Sequence, residues 1–399
     1  MQPNGNRLLT FKEEVIEATQ LSYSICKNCF SLQQNNGFSD KTMYDDHPYL
    51  TQHNNQYLEE LKFFVKFVLS KCSLKNEDLV MDIGCNDGSL LRLFRENGYQ
   101  ILGIDPSETA FKYSQAVGIP VLKNYWGTAL SKIILREYPR PKLITSTASF
   151  YHMNDIKDWM QGIADCLDFD GFFAVQFVHS LEVIRGANLD QFYHEHTFLH
   201  CLNSVDKLAS KHGMEIFDVI ETPSQGGSLI LLLRKKRNVT LCSNQVSLIK
   251  DIEKDFFDNL VLGSFQKSID ILSNQWRLVT NVLLRNNHKL IGLGASLRGI
   301  SLINFLHIDP NVFEAILEIN PVKIGRWTPR SRIPIIAENY EVSGVEYFVV
   351  LAWTQREKML EKYSTLLSQG KSLIFPFPNF EVIGKDSLKL NQKLEEYLL

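Results

Sequence analysis

Tyr193-His194-Glu195-His196 places a phenol, two imidazoles and a carboxylate in consecutive positions. A histidine titrates near neutrality and can take up or return a proton. A tyrosine hydroxyl can donate to a developing oxyanion. In an extended segment Tyr193 and Glu195 would face one way and His194 and His196 the other. Two histidines and a glutamate are also good metal ligands, but i, i+2 spacing is not the i, i+4 helical spacing of a zinc protease. A polar loop satisfied within the fold is the third reading, and the residue types alone leave all three open.

Asp82-Ile83-Gly84-Cys85-Asn86-Asp87-Gly88 is the second group that could do chemistry. Gly84 and Gly88 let a backbone turn tightly and approach a ligand. Asp82 brings a carboxylate, and Asp105 follows about 20 residues on, where an acid can take both hydroxyls of a ribose. A dinucleotide fingerprint needs a middle glycine and no crowd of acids, because a pyrophosphate sits on the helix start. The acidic turn suits a cationic ligand carrying adenosine, namely S-adenosylmethionine. The alternatives are a dinucleotide and an ordinary strand-to-helix turn with no ligand. Farther along, Gly292-Leu293-Gly294 could seat a phosphate, with Arg298, Lys323 and Arg326 supplying charge for a nucleotide diphosphate; a solvated basic edge is the other reading. Trp126, Trp327 and Trp353 fit a core or the flank of a base.

The elements that must position these groups follow from apolar pattern. Leu58, Leu61, Val65, Val68 and Leu69 recur at helical spacing. From Asp78, short apolar runs ending LVMDIG, ILGID, IPVLK, KLITSTA and GFFAVQFV alternate with helix-like segments, which predicts a parallel doubly wound sheet. EIFDVIE and SLILLLRK, separated by TPSQGG, read as a closing hairpin. A second alternating series (KLIGLGA, FEAILEIN, RIPIIA, EYFVVLAW, SLIFPFP) predicts a second α/β domain. The expected division is an N-terminal region over 1–70, the first α/β domain over 71–238, a helical connector over 239–286 and a Rossmann-like domain over 287–399.

Composition bounds the rest. The 399 residues are 44% hydrophobic and 22% charged, which excludes general disorder. A net charge of −3 with no long basic block argues against an electrostatic nucleic-acid binder. No apolar run approaches the roughly 18 residues of a membrane span, and no apolar signal region opens the chain. Seven cysteines, mostly scattered, fit reduced thiols. The expectation is a cytoplasmic protein, monomeric or weakly dimeric, with a small-molecule substrate and no nucleic-acid or membrane partner.

Asp-x-Gly-Cys-Asn-Asp-Gly, then Tyr-His-Glu-His, then Gly292-Leu293-Gly294-Ala295 and Asn320-Pro321-Val322-Lys323-Ile324-Gly325-Arg326-Trp327-Thr328-Pro329, occur here in one order. From about Asn6 to Pro378 the chain resembles the sugar C-methyltransferase family that acts on nucleotide-linked 4-keto-6-deoxy hexoses. The resemblance implies a class I methyltransferase sheet with S-adenosylmethionine at Asp82, Gly84, Asn86, Gly88, Asp105 and Thr147, followed by a Rossmann-like domain. It implies loss of the C-3 proton to His196 and attack of the enolate on the S-methyl group. Tyr193 and Glu195 would position substrate or base, His152 would lie by the reacting sugar, and Tyr49, in His47-Pro48-Tyr49, would help hold it.

Departures from the family are also legible. Ser146, Thr147 and Ala148 stand where the family shows Ala-Asn-Asn beside the methyl donor, and Gln225 replaces a histidine before Gly226-Gly227-Ser228. The family's zinc is held by two Cys-x-x-Cys pairs, and this sequence shows only Cys26-Lys27-Asn28-Cys29. His47 or His53 could supplement them, although structural zinc takes four ligands, so a vestigial or truncated site is the expectation. These departures keep a weakened nucleotide-sugar binding protein in play; an O- or N-methyltransferase of the same fold and a nicotinamide-dependent sugar oxidoreductase using the second domain are two further rivals.

Overall fold

The computed structural model describes residues 2–3, 7–45, 47, 49–237, 242–260, 262–308, 310–339, 344–376, 380–385, 387 and 390. The chain divides into two compact units, both discontinuous. One comprises Ser22–Glu182 and Glu195–Leu260; the other comprises Met1–Leu21, Val183–His194 and Val261–Leu399. The expected N-terminal region is therefore shared between the units, as is the helical connector. Residues 238–241, at the expected start of that connector, lie outside the described residues.

The first unit is built on seven strands: β1 Leu79–Ile83, β2 Gln100–Ile104, β3 Val121–Leu122, β4 Leu143–Thr147, β5 Phe172–Val178, β6 Met214–Thr222 and β7 Ser228–Lys235. Their order is β6-β7-β5-β4-β1-β2-β3. β1 to β5 run parallel, and β7 is inserted antiparallel between β5 and β6. This is the class I S-adenosylmethionine methyltransferase sheet, and the expected doubly wound sheet with its closing hairpin is observed. β1 is flanked by β2 on one side and β4 on the other, so the strand order reverses there and leaves a crevice at the carboxyl ends.

Parallel strands covered on both faces read as continuous apolar runs, and β1 is buried at every position. The helix foreseen from the leucine and valine spacing is α1, Asn55–Lys71, whose N-cap Asn54 accepts from the Tyr57 backbone N–H at 3.1 Å. Tyr57, Leu61, Phe64, Val65 and Val68 share its buried face and join Val80, Leu143, Ala174 and Ile230 in one core cluster. Helix α2, Ser89–Glu96, starts directly after Gly88. The later helix α3, Asn244–Asp258, also belongs to this unit. A small antiparallel sheet of Tyr23–Ile25, Leu32–Gln34 and Phe198–Leu199 completes it.

The second unit contains helix α4, Leu262–Arg285, and six strands: β8 Leu290–Leu293, β9 Phe313–Glu318, β10 Ile335–Ala337, β11 Tyr347–Val350, β12 Ser372–Phe375 and β13 Glu381–Gly384. Their order is β10-β9-β8-β11-β12-β13, parallel except for β13. This is the Rossmann-like domain expected from the second apolar series. Among the described residues no helix is long and apolar enough to cross a membrane.

Candidate active site

The glycine turn lies at the carboxyl end of β1. Gly84 has φ +74, and a Cβ there would stand 2.4 Å from Ser149 Oγ, so both its conformation and its neighbour require glycine. Asp105 closes β2 and is buried. One of its oxygens accepts from the Asn86 backbone N–H at 2.9 Å and the other from the Ser107 N–H at 2.9 Å. A carboxylate has about four acceptor positions, so lone pairs remain for two hydroxyls. Burial raises the Asp105 pKa. Asp82 is also buried and accepts from Thr145 Oγ1 at 2.7 Å; burial pushes it up to about 7, with Asp105 adding repulsion.

Asn86 and Asp87 have another task as well. Asn86 Oδ1 accepts from the Thr51 N–H at 2.8 Å, and Asn86 Nδ2 donates to the Tyr49 carbonyl at 2.9 Å. Asp87 Oδ2 accepts from the Gln52 N–H at 2.8 Å. Ser107 Oγ donates to the His47 carbonyl at 3.1 Å, and the Glu108 N–H donates to the Asp45 carbonyl at 3.1 Å. The described residues 44, 45, 47 and 49–52 are thus a strap fastened along the glycine turn. Sequence reasoning gave Asp87 no role, although an acid beside two glycines at a helix start was a readable signal.

The strap carries Tyr44, His47 and Tyr49 toward the histidines. Tyr44 stacks on His152, with ring centres 5.7 Å apart and planes 7° from parallel. Its hydroxyl lies 2.8 Å from the His152 carbonyl and 3.3 Å from that of Glu195. His47 Nε2 is 3.4 Å from Glu195 Oε2. Tyr49 is 42% exposed, with its ring centre 6.4 Å from that of His47. The His152 and His196 rings are 5.5 Å apart, and Tyr151 lies edge-on to both, at 4.6 Å and 4.5 Å.

Burial lowers the His152 pKa to about 4, against the pull of Glu195, so this imidazole is neutral at pH 7. Its Nε2 is buried with no hydrogen-bond partner among the described residues. Tyr151 is in turn 3.5 Å from Gln225 Oε1, and Gln225, Gly226 and Gly227 all have positive φ. The replaced histidine of the sequence pattern is therefore a glutamine seated beside the tyrosine that packs on His196.

The Tyr-His-Glu-His run does not lie extended. It bends at Tyr193 and turns through His194 and Glu195 before the strand Phe198–Leu199, so simple alternation of faces does not describe it. The division between the two units falls between His194 and Glu195. His194, Glu195 and His196 are buried and Tyr193 is half-buried. The His196 carbonyl accepts from the Tyr23 hydroxyl at 2.6 Å, and the Thr197 carbonyl from the Gln34 N–H at 2.9 Å. The N-terminal hairpin thus fixes the main chain of the histidine from outside the doubly wound sheet.

A buried polar chain reaches the same edge. Tyr57 on α1 donates to Gln176 Oε1 at 3.3 Å, and Gln176 Nε2 donates to Ser224 Oγ at 3.1 Å. Gln176 pairs in register with Thr147 across β4 and β5. The lone glutamine in the apolar run FFAVQFV was the legible sign of this chain; Tyr57, on an apolar helix face, gave none. At the departures from the family, Ser146 Oγ and Ser149 Oγ are 2.7 Å apart, and Ala148 sits at φ +52.

Cys26 and Cys29 occupy the turn of the N-terminal hairpin. The backbone N–H groups of Cys29 and Asn28 lower the Cys26 thiol, and burial raises Cys29. Among the described residues no third cysteine, histidine or acid joins them as a metal ligand. Two thiols do not match the donor set of a structural zinc, so no zinc chemistry is assigned here.

The cations expected to grip a diphosphate lie in the second unit. Arg298 holds Asp190 through Nε at 2.9 Å and Nη2 at 3.0 Å, and packs 4.8 Å over the Trp353 ring, whose N–H also donates to Asp190 at 2.6 Å. Lys323 Nζ donates to the Ala295 carbonyl at 2.8 Å. Arg326 donates through Nε to the Val322 carbonyl at 3.1 Å and faces Thr10. Trp327 pairs with Leu9.

Residues 51–219 match a family model described as a methyltransferase domain, and residues 223–378 match one described as a C-methyltransferase C-terminal domain. A C-methyltransferase of Streptomyces niveus, NovU, is 21% identical over 370 residues, covering 92% of this chain and 88% of its own. Among solved structures, a Pyrococcus horikoshii protein is 14% identical and covers 50% of this chain and 100% of its own, with TM-score 0.40. Magnesium protoporphyrin IX methyltransferase from Synechocystis is 15% identical and covers 45% of this chain and 79% of its own, with TM-score 0.34.

Proposed function

We propose that the chain is a C-methyltransferase that methylates C-3 of a nucleotide-linked 4-keto-6-deoxy sugar through an enolate. The observation that carries this reading is the convergence, at the carboxyl edge of one sheet, of the acidic turn with the His152 and His196 pair.

S-adenosylmethionine fits the turn. Asp105 has acceptor positions for ribose hydroxyls, Asp82 offers a carboxylate to an ammonium group, and Gly84 gives close backbone approach. When bound, it supplies an electrophilic methyl group for a carbon nucleophile.

The side chains of the first unit then have distinct tasks. His196 takes the C-3 proton, which is acidic because the charge left behind spreads onto the C-4 oxygen. A ketone's α-proton is still far less acidic than imidazolium, so a base alone is inadequate and the oxygen needs a preorganised donor. His152, neutral and with a buried ring nitrogen, suits that donation without adding a net charge. Glu195 and Tyr49 position base and sugar. Tyr44 and Tyr23 fix the carbonyls of His152, Glu195 and His196, which holds both imidazoles in place at no cost during reaction.

The test is incubation with methyl-labelled S-adenosylmethionine and a panel of nucleotide-linked 4-keto-6-deoxy sugars, with the product read by NMR. A new methyl-to-carbon bond at C-3 is expected. A methyl on oxygen or nitrogen, or tight sugar-nucleotide binding with no transfer, contradicts the reading.

A further inference from the structure

The mechanism above leaves one buried contact without a task. His47 sits on the strap between two carboxylates that serve different ends of the reaction. Its Nε2 is 3.4 Å from Glu195 Oε2, and the two side chains are 16% and 4% exposed. Its carbonyl accepts from Ser107 Oγ at 3.1 Å, and the Ser107 N–H donates to Asp105 at 2.9 Å. The charge of His47 also acts on Asp105 and on His152, lowering the pKa of each. Tyr44 and Tyr49 flank its ring at 6.1 Å and 6.4 Å. Side chain and main chain of one residue therefore reach the Glu195 carboxylate and the cofactor-turn acid.

We propose that His47 is a positioning residue for proton removal: its imidazole holds the Glu195 carboxylate next to His196, while its main chain keys that contact to the Asp105 turn. The inference rests on the methyl-transfer reading and adds to it a residue that acts through Glu195 without touching substrate. Glu195 precedes the base directly in sequence, and its own carbonyl is already held by Tyr44. A carboxylate fixed at both main chain and side chain has little freedom, and short displacements at such a site cost large factors in rate. His47 is better suited to this than lysine or arginine would be, because its ring is rigid.

Two measurements test it. The first needs no substrate: the His47 ring proton, assigned by its loss in His47→Gln, is titrated by NMR in the wild type and in Glu195→Gln. A histidine paired with a carboxylate titrates high, so its midpoint should fall by about one pH unit when the charge is removed. The second follows C-3 proton exchange and methyl transfer in deuterated water. His47→Ala should lower kcat about tenfold and leave KM for S-adenosylmethionine within about twofold, and His47→Gln, which keeps an N–H donor, should recover part of the loss. It should also move the acid limb of the pH profile. A titration midpoint unmoved by Glu195→Gln, or an unchanged kcat in His47→Ala, overturns the proposal. If the wild type neither exchanges nor methylates any of the sugars, the proposed function falls, and the titration still decides the contact between His47 and Glu195.

Discussion

Each unit carries the same local device with opposite electrostatics. In the first unit the acid ending β2, Asp105, accepts from the backbone N–H of Asn86 in the glycine turn. In the second the acid ending β9, Glu318, accepts from the backbone N–H of Ala295 in its own glycine turn at 2.9 Å, and from the N–H groups of Ile319 and Asn320. Strand, turn, helix and acid correspond. Around Asp105, however, stand two more carboxylates, Asp82 and Asp87. At Glu318 stands Lys323, whose ammonium caps the Ala295 carbonyl of the turn and whose pKa burial lowers. A glycine turn with an acid at the end of the next strand thus reports how a parallel sheet packs. Which ligand the turn suits has to be read from the charges: a cation at the first turn, whereas the second already carries a cation of its own.

The comparison breaks most visibly at the chemistry. His196→Ala should reduce C-3 exchange by at least about 100-fold, the usual scale of a lost general base, measured as deuterium incorporation into the sugar. His152→Ala should cost a similar factor through the oxygen it would stabilise, and an exchange rate within about twofold of wild type in either variant would remove the histidine pair from the account.

Next in size is the pH dependence of cofactor binding. Asp82 titrates at about 7 because it is buried, so its anion forms only as pH rises through that value. Affinity for S-adenosylmethionine should therefore weaken toward tenfold per pH unit as pH falls below about 7. Asp82→Asn should flatten that profile, and calorimetry in buffers of different ionisation enthalpy would detect the proton released on binding. The same shift has a stability sign. The folded value lies above the unfolded one, near 4, so Asp82 costs stability progressively as pH rises from about 4 to about 7. A bound cation should return part of it.

In the second unit, Lys323→Met should leave Glu318 without its cation and cost about 2 kcal/mol of stability, read by chemical denaturation. A neutral change would mean that the lysine is not part of the turn's support. The smallest effect belongs to Ala148, whose φ of +52 is a conformation that L side chains adopt at a cost. Ala148→Gly should stabilise by about 0.5 kcal/mol, and destabilisation would show that its methyl packing outweighs the strain.

Most of the architecture was legible before any coordinates. Both sheets followed from apolar runs alternating with helical spacing, and α1 from the spacing of Leu61, Val65 and Val68. The N-terminal hairpin was not, because strands of three residues such as Tyr23–Ile25 leave no period to detect. The acidic turn and the Tyr-His-Glu-His run stand out by residue type and order, whereas His152 is implied by the family resemblance alone. The strap was not, since Tyr44 and His47 act through contacts more than 100 positions away in sequence, at His152 and Glu195. The extended form expected for residues 193–196 gave way to a turn because the N-terminal hairpin holds the following residues in a sheet. Arg298 carried no sequence sign that its charge is taken up by Asp190.

The most direct measurement is calorimetric titration of S-adenosylmethionine into the wild type, Asp105→Ala and Glu318→Ala at pH 8. A single binding event is expected, weakened at least about 100-fold by Asp105→Ala, about 2.7 kcal/mol, and kept by Glu318→Ala. Binding that survives the loss of Asp105 and disappears with Glu318 would contradict that expectation.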